Sequence, residues 1–157
     1  MRKLVSLLVC FLLLALPWCA LAEEENLLYN GDFTLTDDSG WPEGWAKDAW
    51  LREDGVSYWS VTDFSGGACA AVENVASNDA RFIQEVAVEP ETVYHLSALV
   101  RAEGIPEDAG GAGLSVLGSY VDFPQVWDTA GEFVRLESWF RTDQNQREVI
   151  IAARLGD

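Results

Sequence analysis

The sequence has three cysteines, and two of them, Cys10 and Cys19, fall within its first 22 residues. Only Cys69 remains beyond that point, so the rest of the chain can form no internal disulfide. Its neighbours Ala68, Ala70 and Ala71 supply no basic group to activate a thiolate. A small buried thiol is expected there. The single histidine is His95. One cysteine and one histidine make no Cys/His metal spacing. A lone histidine inside an apolar run also lacks the oriented partners of a catalytic base. No G-x-S-x-G elbow is present. Gly110-Gly111-Ala112-Gly113 lacks the Gly-Lys-Ser/Thr ending of a phosphate loop. Asp37-Asp38 and Glu53-Asp54 are adjacent acids, and neighbours on a strand point to opposite faces. They are not the facing carboxylates of a glycosidase. The chain therefore carries no signature of an enzyme, and a non-catalytic protein is expected.

Basic residues are also scarce, at ten Lys and Arg against 26 Asp and Glu. That balance argues against nucleic acid, which is bound by neutralising phosphates, and against anionic lipid surfaces. Long apolar runs are confined to Leu4–Leu16, which follow Arg2 and Lys3 and precede Ala20-Leu21-Ala22. This pattern predicts a signal peptide over residues 1–22 and export from the cell. The run is shorter than the roughly 20 apolar residues of a membrane span. Trp18 before Cys19 argues against lipidation. Cleavage after Ala22 removes 22 of the 157 residues and two of the ten cations. The remaining 135 residues, 23–157, carry a formal charge of −18 and suffice for one domain with a core.

Helical periodicity is missing from that domain as well. Short apolar or alternating runs recur instead, separated by turn residues: "WSVTDF", "ACAAVENV", "RFIQEVAV", "TVYHLSALVRAEG", "GLSVLGSYV", "EFVRLESWFRT" and "REVIIAARL". This spacing predicts an all-β fold, a two-sheet antiparallel β-sandwich. Alternation assigns core faces to Phe82, Val86 and Val88, to Tyr94, Leu96, Ala98 and Val100, to Val134, Leu136 and Phe140, and to Val149, Ile151, Ala153 and Leu155. The stretch Glu103–Gly113 is a loop within the domain, because apolar strands resume on both sides.

Tryptophan is abundant, with six after residue 22. Sugars present apolar C–H faces and hydroxyl edges, which proteins meet with flat rings and a few polar groups. Trp59, Tyr120, Trp127 and Trp139 fall outside the core pattern, and His95 and Arg101 lie on the opposite face of a core strand. These six are the candidate ligand-binding residues. The competing reading is that tryptophans are packing residues, as most are.

The stretch "NLLYNGDFT…GWPEGW" resembles the start of carbohydrate-binding modules of the CenC type, which have a galactose-binding-domain-like jelly roll. Similar elements follow in order: Gln84-Glu85-Val86-Ala87-Val88, Glu89-Pro90, Tyr94-His95-Leu96-Ser97, and "DTAGEFVRLESWFRT". The resemblance implies a non-catalytic, monomeric jelly roll that binds a polysaccharide or oligosaccharide on a concave sheet face or at loop tips. It implies "NLLYNGDF" as a first strand with its turn and "GWPEGW" as a packing corner. Relatives hold a structural calcium with a glutamate where this chain has Thr34; Asp32, Asp37 and Asp38 are the nearby oxygen donors. "EVIIAARLGD" resembles the penultimate strand, so the sandwich is expected to lack its last strand. The chain then reads as the N-terminal part of a larger protein, with a catalytic or membrane domain downstream. A structural or protein-interaction ectodomain without a sugar site is the alternative.

Overall fold

The computed structural model describes residues 25–119 and 121–156, so the signal peptide read over residues 1–22 lies outside the described residues. Nine strands form in chain order: β1 Ala46–Ala49, β2 Ser57–Phe64, β3 Gly67–Asn74, β4 Ala80–Ala87, β5 Val93–Val100, β6 Ala112–Val116, β7 Gln125–Val126, β8 Val134–Arg141 and β9 Glu148–Leu155. No helix occurs among the described residues. Every strand pairing is antiparallel. The fold is an all-β sandwich.

One layer is a five-stranded sheet in the order β1-β4-β9-β6-β7. The β5–β8 pair lies against it. Val86, Val88, Leu96, Leu114, Val116, Phe140, Val149 and Ile151 interlock into one buried cluster. Tyr94 stacks on Phe140 with ring centroids 5.6 Å apart beside that cluster. The inward faces foreseen by alternation are those that pack, because burial of one strand face fixes the register.

The β2–β3 ribbon closes one end of the sandwich. At its base, Asn74 Nδ2 donates to the carbonyls of Asn78 and Leu155. At its tip, the Phe64 ring meets the Phe133 ring edge-on at 5.2 Å.

The N-terminal segment covers the sheet beside β4. There Trp41 stacks on Phe82 at 5.2 Å and Phe33 lies 4.9 Å from Trp45. Phe82 and Trp45 are buried, so "GWPEGW" packs as a corner. "NLLYNGDF", however, forms turns rather than a strand. Asn30 and Phe33 adopt left-handed backbone angles, φ 50° and 57°, which an extended strand cannot contain. Asn30 holds this shape with its own side chain. Its Nδ2 donates to the Leu35 and Glu43 carbonyls, and its Oδ1 accepts from the Leu35 N–H. Its carbonyl accepts from Trp45 Nε1 at 3.0 Å. In place of a ladder, the backbone of Tyr29 makes two 2.8 Å bonds to the amide of Gln84. Gly44 lies directly under the Tyr29 ring at φ +79°, where a side chain would collide.

The run "GLSVLGSYV" is also shorter in the fold than its apolar length suggests. The strand stops at Val116, where Ser119 N–H turns back to the Val116 carbonyl and Gly118 takes φ +79°. Replacing Asn30 by Ala removes a nearly buried side chain that satisfies three backbone groups. We expect the folded state to lose about 2 kcal/mol, read as a lower urea midpoint at unchanged slope.

Candidate functional site

Of the six residues singled out by the sequence, the five described do not converge. Trp59 is half-buried; its Nε1 donates to the Arg81 carbonyl at 3.1 Å and the Lys47 ammonium sits 5.6 Å above its ring. It fastens the β2–β3 ribbon to β4. Trp127 follows β7 at the sheet edge, where its Nε1 donates to the Ala109 carbonyl at 2.6 Å and its ring covers Gly111. The Arg101 guanidinium lies 4.6 Å from the Phe64 ring centroid and pairs with Glu103. Tyr120 lies outside the described residues. Only His95 and Trp139 are brought together, as register partners on the outward face of β5–β8, with rings stacked at 4.3 Å and 22°. Trp50 is the most exposed tryptophan, at 80%.

A different set assembles on the outward face of the five-stranded sheet. Strand register fixes its rows. Asp48, Arg81, Arg154, Gly113 and Gln125 follow one another across β1, β4, β9, β6 and β7. Beside them run Ala46, Ile83, Ala152 and Ser115. A polar row thus lies against a mostly apolar one. Ala46, Ala152 and Gly113 have little or no side chain, which lowers the floor of this face. Gly113 can be nothing larger, since a Cβ would stand 2.8 Å from the Pro124 carbonyl. Two hollows open here. One, about 230 Å³, is lined by Ser115, Arg154, Gln125, Asp122, Phe123 and the turn after β6. The other, about 390 Å³, is lined by Trp45, Ala46, Ile83, Glu85 and Ile150.

The polar row is prearranged by charge. Asp79 precedes β4 and is nearly buried. Its carboxylate accepts from Arg81 Nη1 at 2.5 Å, and from Arg154 Nε at 3.1 Å and Nη2 at 2.7 Å. Arg81 also reaches Asp48 Oδ2 from Nη2 at 2.7 Å, and Arg52 reaches Asp48 Oδ1 at 2.8 Å. Burial works to raise the Asp48 carboxyl, but hydrogen bonds and charge from Arg81 and Arg52 outweigh it and hold the group below its ordinary 3.8. Gln125 turns its Oε1 to the Gly111 N–H, which leaves its amide donors unclaimed. Ser115 Oγ is buried without a hydrogen-bond partner. Such an orphan calls for a polar ligand or a water. Together these groups offer donors from Arg154 and Gln125, an acceptor at Asp122 and a hydroxyl that can do both.

At the far rim, a hydrogen bond to Glu85, then the Glu85 charge, holds the Glu148 carboxyl above its ordinary 4.5.

The oxygen donors considered for calcium are engaged otherwise. Asp32 Oδ1 accepts from the N–H and hydroxyl of Thr34. Asp37 Oδ1 accepts from Ser39 and Trp41 N–H groups and from the Ser39 hydroxyl, and its carboxyl is lowered chiefly by that last bond. No cluster of three or more metal-binding side chains occurs among the described residues. Asp32 and Asp37 each close a turn through one carboxylate oxygen. Cys69 is half-buried rather than buried, and burial raises its thiol against the opposing charge of Arg101.

The sheet face was missed because the same strands had been used to find the core. Its signal was the complementary alternation: Arg81, Ile83, Glu85 in "RFIQEVAV" and Ile150, Ala152, Arg154 in "REVIIAARL".

Removing Asp79 leaves two largely buried guanidinium groups without their shared partner. Asp79→Ala is expected to cost about 3–5 kcal/mol in chemical denaturation. Asp48 has a depressed carboxyl, so its contribution to stability is full above 3.8 and is lost as pH falls through its lower folded value. Asp48→Asn should therefore lower the melting temperature at neutral pH, and the gap to the parent should narrow in strong acid. Compared with protein-family models and with curated proteins, the chain matches none.

Proposed function

We propose that the chain is a non-catalytic carbohydrate-binding module that takes a sugar chain across the outward face of its five-stranded sheet. The observation that carries this reading is the pair of hollows on that face, one offering Arg154, Gln125 and Ser115 and the other the apolar Ile83 and Ile150. A sugar ring has the matching division, apolar on its faces and hydroxylated at its edge. The hydroxyl edge would meet Arg154 and Gln125, and ring C–H groups would lie over Ile83 and Ile150.

The resemblance to CenC-type modules supports the same reading, as does the leader-like start of the sequence, which suits a protein working on polysaccharide outside the cell. A protein-interaction ectodomain is the second reading. It draws on Trp50, Leu51, Tyr58 and Val75, which expose apolar surface on neighbouring loops and strand ends.

Electrophoresis in gels cast with soluble polysaccharides, with pull-down on insoluble ones, tests the proposal. The parent should be retarded by at least one polysaccharide. Arg154→Lys keeps a charge beside Asp79 but loses the planar fork, and should weaken that retardation about tenfold. Trp50→Ser should leave it unchanged. A folded parent that no polysaccharide retards supports the second reading instead.

A further inference from the structure

We propose that the outward face of the β5–β8 pair is a second binding surface, on the opposite side of the sandwich from the groove, and that it takes an acidic sugar chain such as a polyuronate. It uses none of the residues of the groove, so neither reading depends on the other.

Register sets four cross-strand pairs on this face: Val93 with Arg141, His95 with Trp139, Ser97 with Glu137, and Leu99 with Arg135. Trp139 is 59% exposed, and the His95 ring stacked on it holds the indole in one orientation. A pre-oriented ring loses little entropy when a ligand stacks on it. Leu99 and Val93 are exposed on either side at 64% and 56%, which extends the apolar surface along the strands.

The charge of this face differs from that of the whole chain. The sequence has a formal charge of −16. The β5 and β8 strands contain two arginines and the histidine against a single acid, Glu137. Among the other described arginines, Arg52 is held by Asp48, Arg81 by Asp48 and Asp79, and Arg154 by Asp79, while Arg147, in the turn before β9, makes no ion pair. Arg101, at the end of this face, is likewise held by Glu103. Arg141 has no ion-pair partner among the described residues and is exposed. Arg135 touches Glu137 only through Nε at 3.3 Å and Ser97 through Nη2 at 2.9 Å, and its side chain is 59% exposed. Glu137 is thus shared between Arg135 and His95, whose Nε2 lies 3.3 Å from the same Oε2.

Arg135 and Arg141 stand six residues apart on one strand, about 20 Å, with Trp139 between them. Salt confines charge effects to about 8 Å at physiological strength, so a bound anion responds to these arginines more than to the acidic body. An extended chain of flat rings bearing repeated carboxylates matches ring, hydroxyl and cations together. A peptide strand would add at the open outer edges of this two-stranded pair rather than stack on the Trp139 ring, and it is the other outcome of the test.

Affinity electrophoresis and calorimetry with polygalacturonate and with its carboxyl-reduced form test this. The parent should bind polygalacturonate, more weakly as salt rises, and bind the reduced polymer at least tenfold less well through this face. Trp139→Ala should weaken polygalacturonate binding about tenfold with an unchanged melting temperature. Arg135→Gln with Arg141→Gln should weaken it similarly and flatten its salt dependence. Arg154→Lys, altered only in the groove, should lose far less affinity for polygalacturonate than Trp139→Ala, which separates this surface from the groove. The proposal is overturned if the parent does not bind polygalacturonate or if Trp139→Ala binds it as the parent does. Equal loss in Arg154→Lys, or complete competition by polyglutamate, overturns it as well.

Discussion

One carboxylate organises the outward face of the five-stranded sheet. Asp79 sits just before β4 and receives hydrogen bonds from Arg81 on β4 and Arg154 on β9. Largely buried guanidinium groups on neighbouring strands would repel each other without it, since two cations that close cannot both be desolvated. With it they lie flat in one row, and Asp48 and Arg52 extend the row to β1 and its following loop. The backbone carbonyl of Asp79 accepts from the Trp50 N–H, so the same residue also anchors the loop after β1. Fold and groove share one ionic centre here. The walls of the groove are rigid because the sheet needs them to be.

The small residues of the face do the complementary work. A row of large side chains would give a convex surface, as sheet faces exposed to solvent commonly do. One depression opens over Ala46 and is bounded by Ile83, Ile150 and Glu85, and a second lies between Ser115, Arg154 and Gln125. Ala152 is fully buried although it points away from the sandwich core, which shows how completely its larger neighbours close over it. The opposite layer has the reverse character. On β5–β8 the outward side chains are large and stand proud, with Trp139, Leu99 and Val93 all more than half exposed. The two faces of one sandwich are therefore a groove and a platform.

The legibility of these features from the sequence follows from what each depends on. The strands between residues 57 and 155 and the buried faces of β4, β5, β8 and β9 were readable, because alternation with period two is a local consequence of strand geometry. The N-terminal segment was not: "NLLYNGDF" has the composition of a strand, but Asn30 bonds its own neighbourhood and bends the chain. Short β1 and β7 gave no periodic signal because four and two residues cannot. Aromatic content pointed to Trp59 and Trp127, and only the fold shows that the indole N–H of each finds a backbone carbonyl.

By itself the sequence determined the all-β class, the pattern of buried positions and the acidity of the chain, since each is a property of composition or of local spacing. It also placed Trp139 beside the polar residues of its own strand. What the tertiary structure alone decided is which outward faces meet. Asp48, Arg81, Arg154 and Gln125 are separated by up to 106 positions in the chain and become neighbours only through strand order and register. That order is set by how the whole core packs, and no local pattern encodes it.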